Sequence, residues 1–200
     1  MNSRQPESRN ITPMAAGFEA SLAVVAIGLG WLIGVKPLET LTWEPAALVW
    51  GVVATLPLFV MLWLMLSFPR GPFRKLIEIV DELVVTMFHK ASLAELAIVA
   101  LMAGIGEELL FRGVVQTALA QWTGSPIAAL LASGVLFGLI HSVTRTYAAL
   151  AAVVGIYLGW LWLATGNMLS PVVAHAVYDF GALWYLRHTS PRRTDIQSVP

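Results

Sequence analysis

The chain has no cysteine and very few charged residues. Without cysteine, a disulfide framework, a thiolate zinc site and a cysteine nucleophile are all excluded. Only 12% of the 200 residues are charged, and the formal net charge is zero, whereas soluble proteins carry about 25% charged residues. No surface for a polyanion is predicted, so nucleic acid is not an expected partner.

Apolar residues dominate what remains. They make up 58% of the chain and give a mean hydropathy of +0.75. The sequence therefore predicts an all-α, polytopic membrane bundle with the lipid bilayer as its surroundings. The predicted spans are residues 15–35, 46–67, 93–122, 126–141, 147–164 and 168–186.

The same pattern divides the chain into four regions. Polar tails are predicted over residues 1–14 and 189–200, and a core region over 91–188. The region 15–90 holds the first two spans and a segment, 73–90, with apolar residues at three- and four-residue steps. Charged residues fill the opposite face, which predicts an amphipathic helix. It either lies on the membrane surface or packs on the bundle as a linker.

Positive charge indicates how the six predicted spans are oriented. All lysines and arginines outside the membrane except Lys36 fall on one side of this topology. The positive-inside rule then places both termini in the cytoplasm and the protein in the cell membrane. Five tryptophans fall at the predicted outer ends, as expected of an interfacial belt: Trp31, Trp43, Trp122, Trp160 and Trp162.

Ionisable residues interrupt the third predicted span. Glu107, Glu108 and Arg112 lie within six positions of an otherwise apolar run. A charge at mid-bilayer costs at least ~3 kcal/mol on insertion scales, so such residues are kept where they are paired or used. His141, His175 and Asp179 recur in equally apolar surroundings downstream. This set of residues predicts chemistry inside the membrane.

A short turn at residues 123–126 makes the third and fourth spans antiparallel neighbours. Glu107 lies sixteen residues before Thr123, and His141 lies eighteen after it. At ~1.5 Å per residue, both are ~25 Å from the turn, so the carboxylate and the imidazole are expected to meet. His175 is only ~10–14 Å from the next turn, at Gly166, and is expected to lie somewhat shallower than Glu107. Either the last helix enters the bundle obliquely, or its predicted start is misplaced by one turn.

Helical spacing assigns further neighbours. Glu108 and Arg112 are four residues apart and are expected to form a structural ion pair. Glu107 is rotated by about 100° from Glu108 and is left for chemistry. His175 and Asp179 are also four apart, so Asp179 can orient the imidazole or share a ligand with it.

Three other residues near the predicted site receive expectations. Phe137 lies one turn before His141 and is expected to wall the pocket. The fourth span has only sixteen residues, fewer than the ~20 needed to cross the hydrocarbon core. Its wet end therefore predicts water access to His141. Glu19 and Glu95 are expected to face water near helix ends.

Three motifs in order resemble those of a known family. Residues 107–112 read EELLFR, residues 137–141 read FGLIH, and residues 175–179 read HAVYD. They are similar to the EExxxR, FxxxH and HxxxN motifs of the CAAX-processing and bacteriocin-processing (CPBP, or Abi) intramembrane proteases. The resemblance covers about half of the chain. It implies a helical bundle that opens to the cytoplasm and cleaves peptide bonds near the membrane surface.

The resemblance also implies roles. Glu107 would be the general base that activates water, with His141 assisting. His175 and Asp179 would steady the oxyanion or bind a metal. Asp179 departs from the family's frequent asparagine, and an ionised aspartate cannot donate a hydrogen bond to an oxyanion. Glu107, His141 and His175 also form an acceptable zinc set with an open position. Metal-dependent and metal-free mechanisms both stay open, and they assign Glu107 differently.

The leading functional prediction is an intramembrane endopeptidase acting on a membrane-associated protein or peptide. A prenylated CaaX protein is one substrate option that the family offers. The alternative is a non-catalytic membrane partner, such as an immunity or scaffold protein that retains the motif pocket. An ion-coupled transporter is less favoured, because the sequence lacks the paired inverted halves of such proteins.

Overall fold

The computed structural model describes residues 11–189, and every regular element in that range is helical. The all-α prediction is therefore confirmed. Most of the two predicted polar tails lies outside the described residues. The helices are α1 Thr12–Ile33, α2 Pro45–Ser67, α3 Pro72–Phe88, α4 Leu93–Glu108, a π-helical segment Leu109–Gln116, α5 Thr117–Thr123, α6 Pro126–Ile140, α7 Arg145–Thr165 and α8 Leu169–Thr189.

Three of these helices, α1, α2 and α7, are long and apolar enough to cross a membrane. The helix α6 is apolar but shorter, as the sequence predicted. Large apolar side chains project outwards from α1 and α2, including Val24, Leu32, Val49 and Leu56. An apolar surface of this kind suits contact with lipid. Together with the three long apolar helices, it indicates an integral membrane protein. Six membrane crossings stay a prediction, because α4 and α8 do not meet the same criterion.

Local sequence signals set the helix ends. Proline occupies the first turn of α2, α3 and α6, where its missing N–H costs no hydrogen bond. Glycine ends α1, α5 and α7 in the left-handed conformation, with φ of 75°, 67° and 64°. At the start of α4, Ser92 and Glu95 form a reciprocal capping box. Glu95 thus lies at a helix end as expected, where it caps α4.

The third predicted span is not a uniform α-helix. Leu109–Gln116 is π-helical and joins α4 to α5 without a break. The Thr117 hydroxyl donates to the Arg112 carbonyl at 2.9 Å, and the Ser133 hydroxyl of α6 donates to the Phe111 carbonyl at 3.0 Å. Hydroxyl groups thus donate hydrogen bonds to backbone carbonyl oxygens of the π-helical segment. The sequence gives no signal for this change of helix type.

Glycines let the helices around the site approach closely. A Cβ on Gly138 of α6 would overlap the Ala148 carbonyl of α7, and one on Gly106 of α4 would overlap the Glu19 carbonyl of α1. The Gly155 and Gly159 pair of α7 faces α6 and the π-helical segment. These small residues therefore serve contacts within the bundle.

The amphipathic helix α3 packs on the bundle through its apolar face. Leu76, Val84, Val85 and Phe88 are buried, and the helix contacts α7 and α8. Its opposite face carries the exposed Arg74–Glu78 ion pair at 3.1 Å. Of the two predicted placements, packing on the bundle is therefore observed. Contact with the membrane surface stays a prediction.

A buried asparagine ties the start of α8 to the loop between α1 and α2. The Asn167 side-chain amide donates to the Thr42 carbonyl at 3.0 Å and to the Thr42 hydroxyl at 2.7 Å. Its oxygen accepts the Leu169 N–H at 2.9 Å. Because these bonds fix where α8 begins, they help to set the depth of every side chain on that helix.

Candidate active site

The predicted meeting of Glu107 and His141 is confirmed. Glu107 Oε2 lies 3.6 Å from His141 Nε2. That distance is too long for a direct hydrogen bond, so a third atom such as a water oxygen can bond both groups. Glu107 is only 8% exposed and its Oε2 has no hydrogen-bond partner among the described residues. The arrangement therefore presents a buried carboxylate oxygen ready to accept a proton.

His141 is held by Phe137, one turn earlier. Its Nδ1 lies 2.8 Å from the Phe137 carbonyl oxygen, which only accepts, so Nδ1 carries the proton and donates it. The two rings stack with centroids 4.4 Å apart. The imidazole is thereby oriented with Nε2 towards Glu107. Phe137 is 4% exposed and forms part of the pocket wall, as predicted.

The Glu108–Arg112 ion pair is also present. Arg112 Nε lies 3.0 Å from Glu108 Oε2, and both side chains are essentially inaccessible to solvent. Arg112 Nη2 donates to the Gly155 carbonyl of α7 at 2.7 Å, and its guanidinium carbon lies 5.1 Å from the Phe137 ring centre. The pair thus joins the π-helical segment to α7 as well as to α4.

His175 reaches the same depth as Glu107, so the expectation of a shallower position was wrong. Its Nε2 lies 4.0 Å from Glu107 Oε2, and its Nδ1 lies 2.8 Å from Glu108 Oε1. α8 begins at Leu169, one residue from the predicted start, so the error lay in measuring the two depths from different turns and not in the start of the helix. Glu108 therefore contacts Arg112 through one oxygen and His175 through the other, a bridging contact that sequence spacing did not predict.

Asp179 shares a face with His175, as predicted. Its Oδ2 lies 3.4 Å from His175 Nε2. Since Glu108 already occupies Nδ1, Asp179 approaches the ring nitrogen that faces Glu107. His175 thus has carboxylates at both nitrogens, which favours a ring that donates from both.

A cavity of about 330 Å³ connects these groups. Its polar end is formed by Glu107, His141, His175, Asp179 and Glu19. The expectation that Glu19 faces water was therefore wrong. It turns inwards because α1 crosses α4 at Gly106, next to Glu107. A signal was available in the sequence, because Glu19 is the only charged residue of an apolar span and such residues mark function by default.

Two tyrosines complete the polar end. The ring centres of Tyr147 and His141 are 6.4 Å apart. The ring centres of Tyr178 and Phe59 are 5.7 Å apart. Both line the cavity. Sequence reasoning did not identify either of them, because a tyrosine in an amphipathic or apolar helix carries no distinguishing pattern.

The donors in the cavity have the chemistry of a zinc site, with one carboxylate and two imidazoles. Adjacent donors around tetrahedral zinc lie about 3.4 Å apart when the bonds are about 2.0–2.1 Å. The separations from Glu107 Oε2 are wider, at 3.6 Å and 4.0 Å. Among the described residues, no three such side chains are grouped to hold a metal ion. In this arrangement the three side chains do not fit a zinc ion. Zinc binding therefore remains a prediction from the sequence.

Comparison with known proteins agrees with the motifs. Residues 89–181 match the family model described as type II CAAX prenyl endopeptidase Rce1-like, and this range includes all three motifs. YpbD, an uncharacterized protein of Bacillus subtilis (strain 168), is 32% identical over 107 residues, which covers 54% of this chain and 53% of the relative. The chain thus spans about half the length of that relative. No solved structure matches.

Proposed function

We propose, from the match of residues 89–181 to the Rce1-like family model, that the protein is an intramembrane endopeptidase with Glu107 as its general base. The family supports a CAAX-type protease at the level of its class. The observation that carries the assignment of Glu107 is its buried Oε2, 3.6 Å from His141 Nε2. A water bonded to both groups would lie at the end of the short helix α6.

The reaction consumes one water for each peptide bond. Glu107 accepts a proton from the water while the water oxygen bonds to the carbonyl carbon. His175 Nε2–H donates to the oxyanion, with Nδ1–H held by Glu108. The C–N bond then breaks, and the proton taken by Glu107 passes to the departing nitrogen.

Asp179 has a different role in this scheme. Its carboxylate lies 3.4 Å from His175 Nε2, so it holds the ring in place and favours a proton on that nitrogen. An asparagine in this position would donate to the oxyanion directly. The aspartate instead acts through His175, which reconciles this chain's third motif with the same reaction.

We also propose that the site opens to the cytoplasm. The basic residues Arg70, Lys90 and Arg145 lie at the end of the bundle where His141 follows α6, and Lys36 lies at the opposite end. The positive-inside rule assigns the first end to the cytoplasm. The substrate is then a membrane-associated protein or peptide whose scissile bond enters from that side, with CaaX proteins as the class that the family suggests.

The test is cleavage of an internally quenched peptide that ends in a prenylated CaaX sequence, by full-length protein in liposomes. Glu107→Gln should reduce the cleavage rate about 10²–10⁴-fold, the usual contribution of a general base. Glu78→Gln, on the exposed face of α3, is the matched control and should leave the rate unchanged. Equal rates for Glu107→Gln and the parent would refute Glu107 as the general base, and no cleavage by the parent would favour the non-catalytic alternative.

A further inference from the structure

Glu19 brings a carboxylate to the site from outside the family segment. Its helix, α1, precedes residues 89–181, and the family match does not include it. The Glu19 backbone carbonyl rests against Gly106, where any side chain would overlap it. This contact fixes Glu19 beside Glu107 and places its side chain on the wall of the catalytic cavity.

Two carboxylate oxygens at the cavity have no hydrogen-bond donor. Glu19 Oε2 and Glu107 Oε2 are both buried and unbonded among the described residues, and Glu107 as a whole is 8% exposed. Glu108 differs, because its oxygens contact Arg112 and His175.

A buried carboxylate without a donor is unfavourable. Glu107 Oε2 has the imidazoles of His141 and His175 at 3.6 Å and 4.0 Å, whereas Glu19 Oε2 has no hydrogen-bond partner among the described residues. Glu19 therefore calls for a ligand that donates hydrogen bonds or carries positive charge.

The rest of the cavity is apolar. Beyond the polar end it is walled by side chains such as Leu58, Met61, Leu62, Val80, Val154 and Leu183. Three carboxylates and two imidazoles share the polar end, so carboxylates are in excess there. An apolar chamber with such an end is complementary to an aliphatic chain with a cationic end. We propose that Glu19 forms, with Glu107, a binding site for an aliphatic primary ammonium group.

This site has a use in the proposed reaction, and that use rests on the proposed function. Hydrolysis converts the neutral amide nitrogen into an amine, which gains a proton to become an ammonium. A carboxylate next to Glu107 can bind this new amino terminus as it forms. Glu19 is then a binding residue for the leaving side of the substrate, and Glu107 remains the base that acts on water.

The test measures binding and requires no cleavage. The full-length protein in a nonionic detergent is titrated with hexylammonium or with 1-hexanol, which share one chain and differ in the end group. Hexylammonium should bind at least about tenfold more tightly, as expected for a charge-assisted hydrogen bond in a buried site. Glu19→Gln keeps the shape of the side chain and should remove this preference, whereas the control Glu78→Gln should retain it.

Other results would overturn the site. Equal binding of the two probes by the parent, or an unchanged preference in Glu19→Gln, would show that Glu19 does not bind the ammonium. If Glu19→Gln does not fold, Glu19→Asp supplies the test, because it retains the charge and should keep most of the preference. Loss of the preference in a folded Glu19→Asp variant would also count against the proposal.

The two proposals fail separately. Cleavage of the peptide by a protein that shows no ammonium preference would refute the Glu19 site and leave the protease assignment intact. An ammonium preference that depends on Glu19, in a protein that does not cleave the peptide, would support the site and count against the protease assignment.

Discussion

Replacing Arg112 with alanine should destabilise the bundle strongly. Arg112 is 1% exposed, and its partner Glu108 is completely buried. Removing one member of a buried ion pair leaves the other charge without compensation, which costs about 3–5 kcal/mol. His175 remains 2.8 Å from the other Glu108 oxygen, so we expect a value near the lower end, about 3 kcal/mol.

The assay is reversible unfolding in mixed micelles, followed by far-ultraviolet circular dichroism. Arg74→Ala is the matched control, because it breaks an arginine–glutamate pair with the same spacing but with side chains 75% and 56% exposed. That change should cost under about 0.5 kcal/mol. The double variant Glu108→Gln, Arg112→Met removes both charges and should recover much of the loss.

An Arg112→Ala variant as stable as Arg74→Ala would contradict the expected cost of an uncompensated Glu108 carboxylate. A double variant less stable than Arg112→Ala would contradict it too, because the lost stability would then come from lost packing. A double-mutant cycle of the parent, Glu108→Gln, Arg112→Met and the variant with both changes gives the coupling energy of the pair.

Three further changes test the support of the site. Phe137→Ala should cost about 3–5 kcal/mol as a cavity in the core and should also slow peptide cleavage, since His141 loses its stacking partner; equal cleavage rates would contradict this. Asn167→Ala should cost about 1–3 kcal/mol by leaving buried polar groups unbonded, measured by the same unfolding assay. Gly138→Leu should prevent the close contact of α6 with α7, so the yield of monodisperse protein in size-exclusion chromatography should fall; a normal yield would show that these helices can separate.

The pairing of Glu107 with His141 could be predicted because it depends on very little. A tight turn and two helical stretches of nearly equal length, one to each residue, determine the depth of both residues. The Glu108–Arg112 pair follows equally from helical spacing. These predictions use local geometry only, and local geometry is what a sequence specifies most directly.

The positions of His175 and Glu19 could not be predicted in the same way. The depth of His175 was estimated from a different turn than that of Glu107, and the position of this turn in the bundle depends on long-range contacts such as that between Asn167 and Thr42, 125 residues apart. The direction of Glu19 depends on where α1 crosses α4. The hydrophobic pattern of α1 does not indicate which face lies inwards, although Glu19, as the one charged residue of the span, was a signal for that face.

The π-helical segment has a consequence for how this chain tolerates insertions and deletions. A π-helix closes its hydrogen bonds over one more residue than an α-helix does. A widened turn therefore holds one residue more than an α-helical turn does. Deleting one residue within Leu109–Gln116 would allow a continuous α-helix, and the helix after the deletion would approximately keep its orientation. Gln116, whose side-chain amide reaches the Gly159 carbonyl at 3.4 Å, would then stay near α7. The same deletion within α4 would instead turn Glu107 and Glu108 by about 100° relative to the start of that helix.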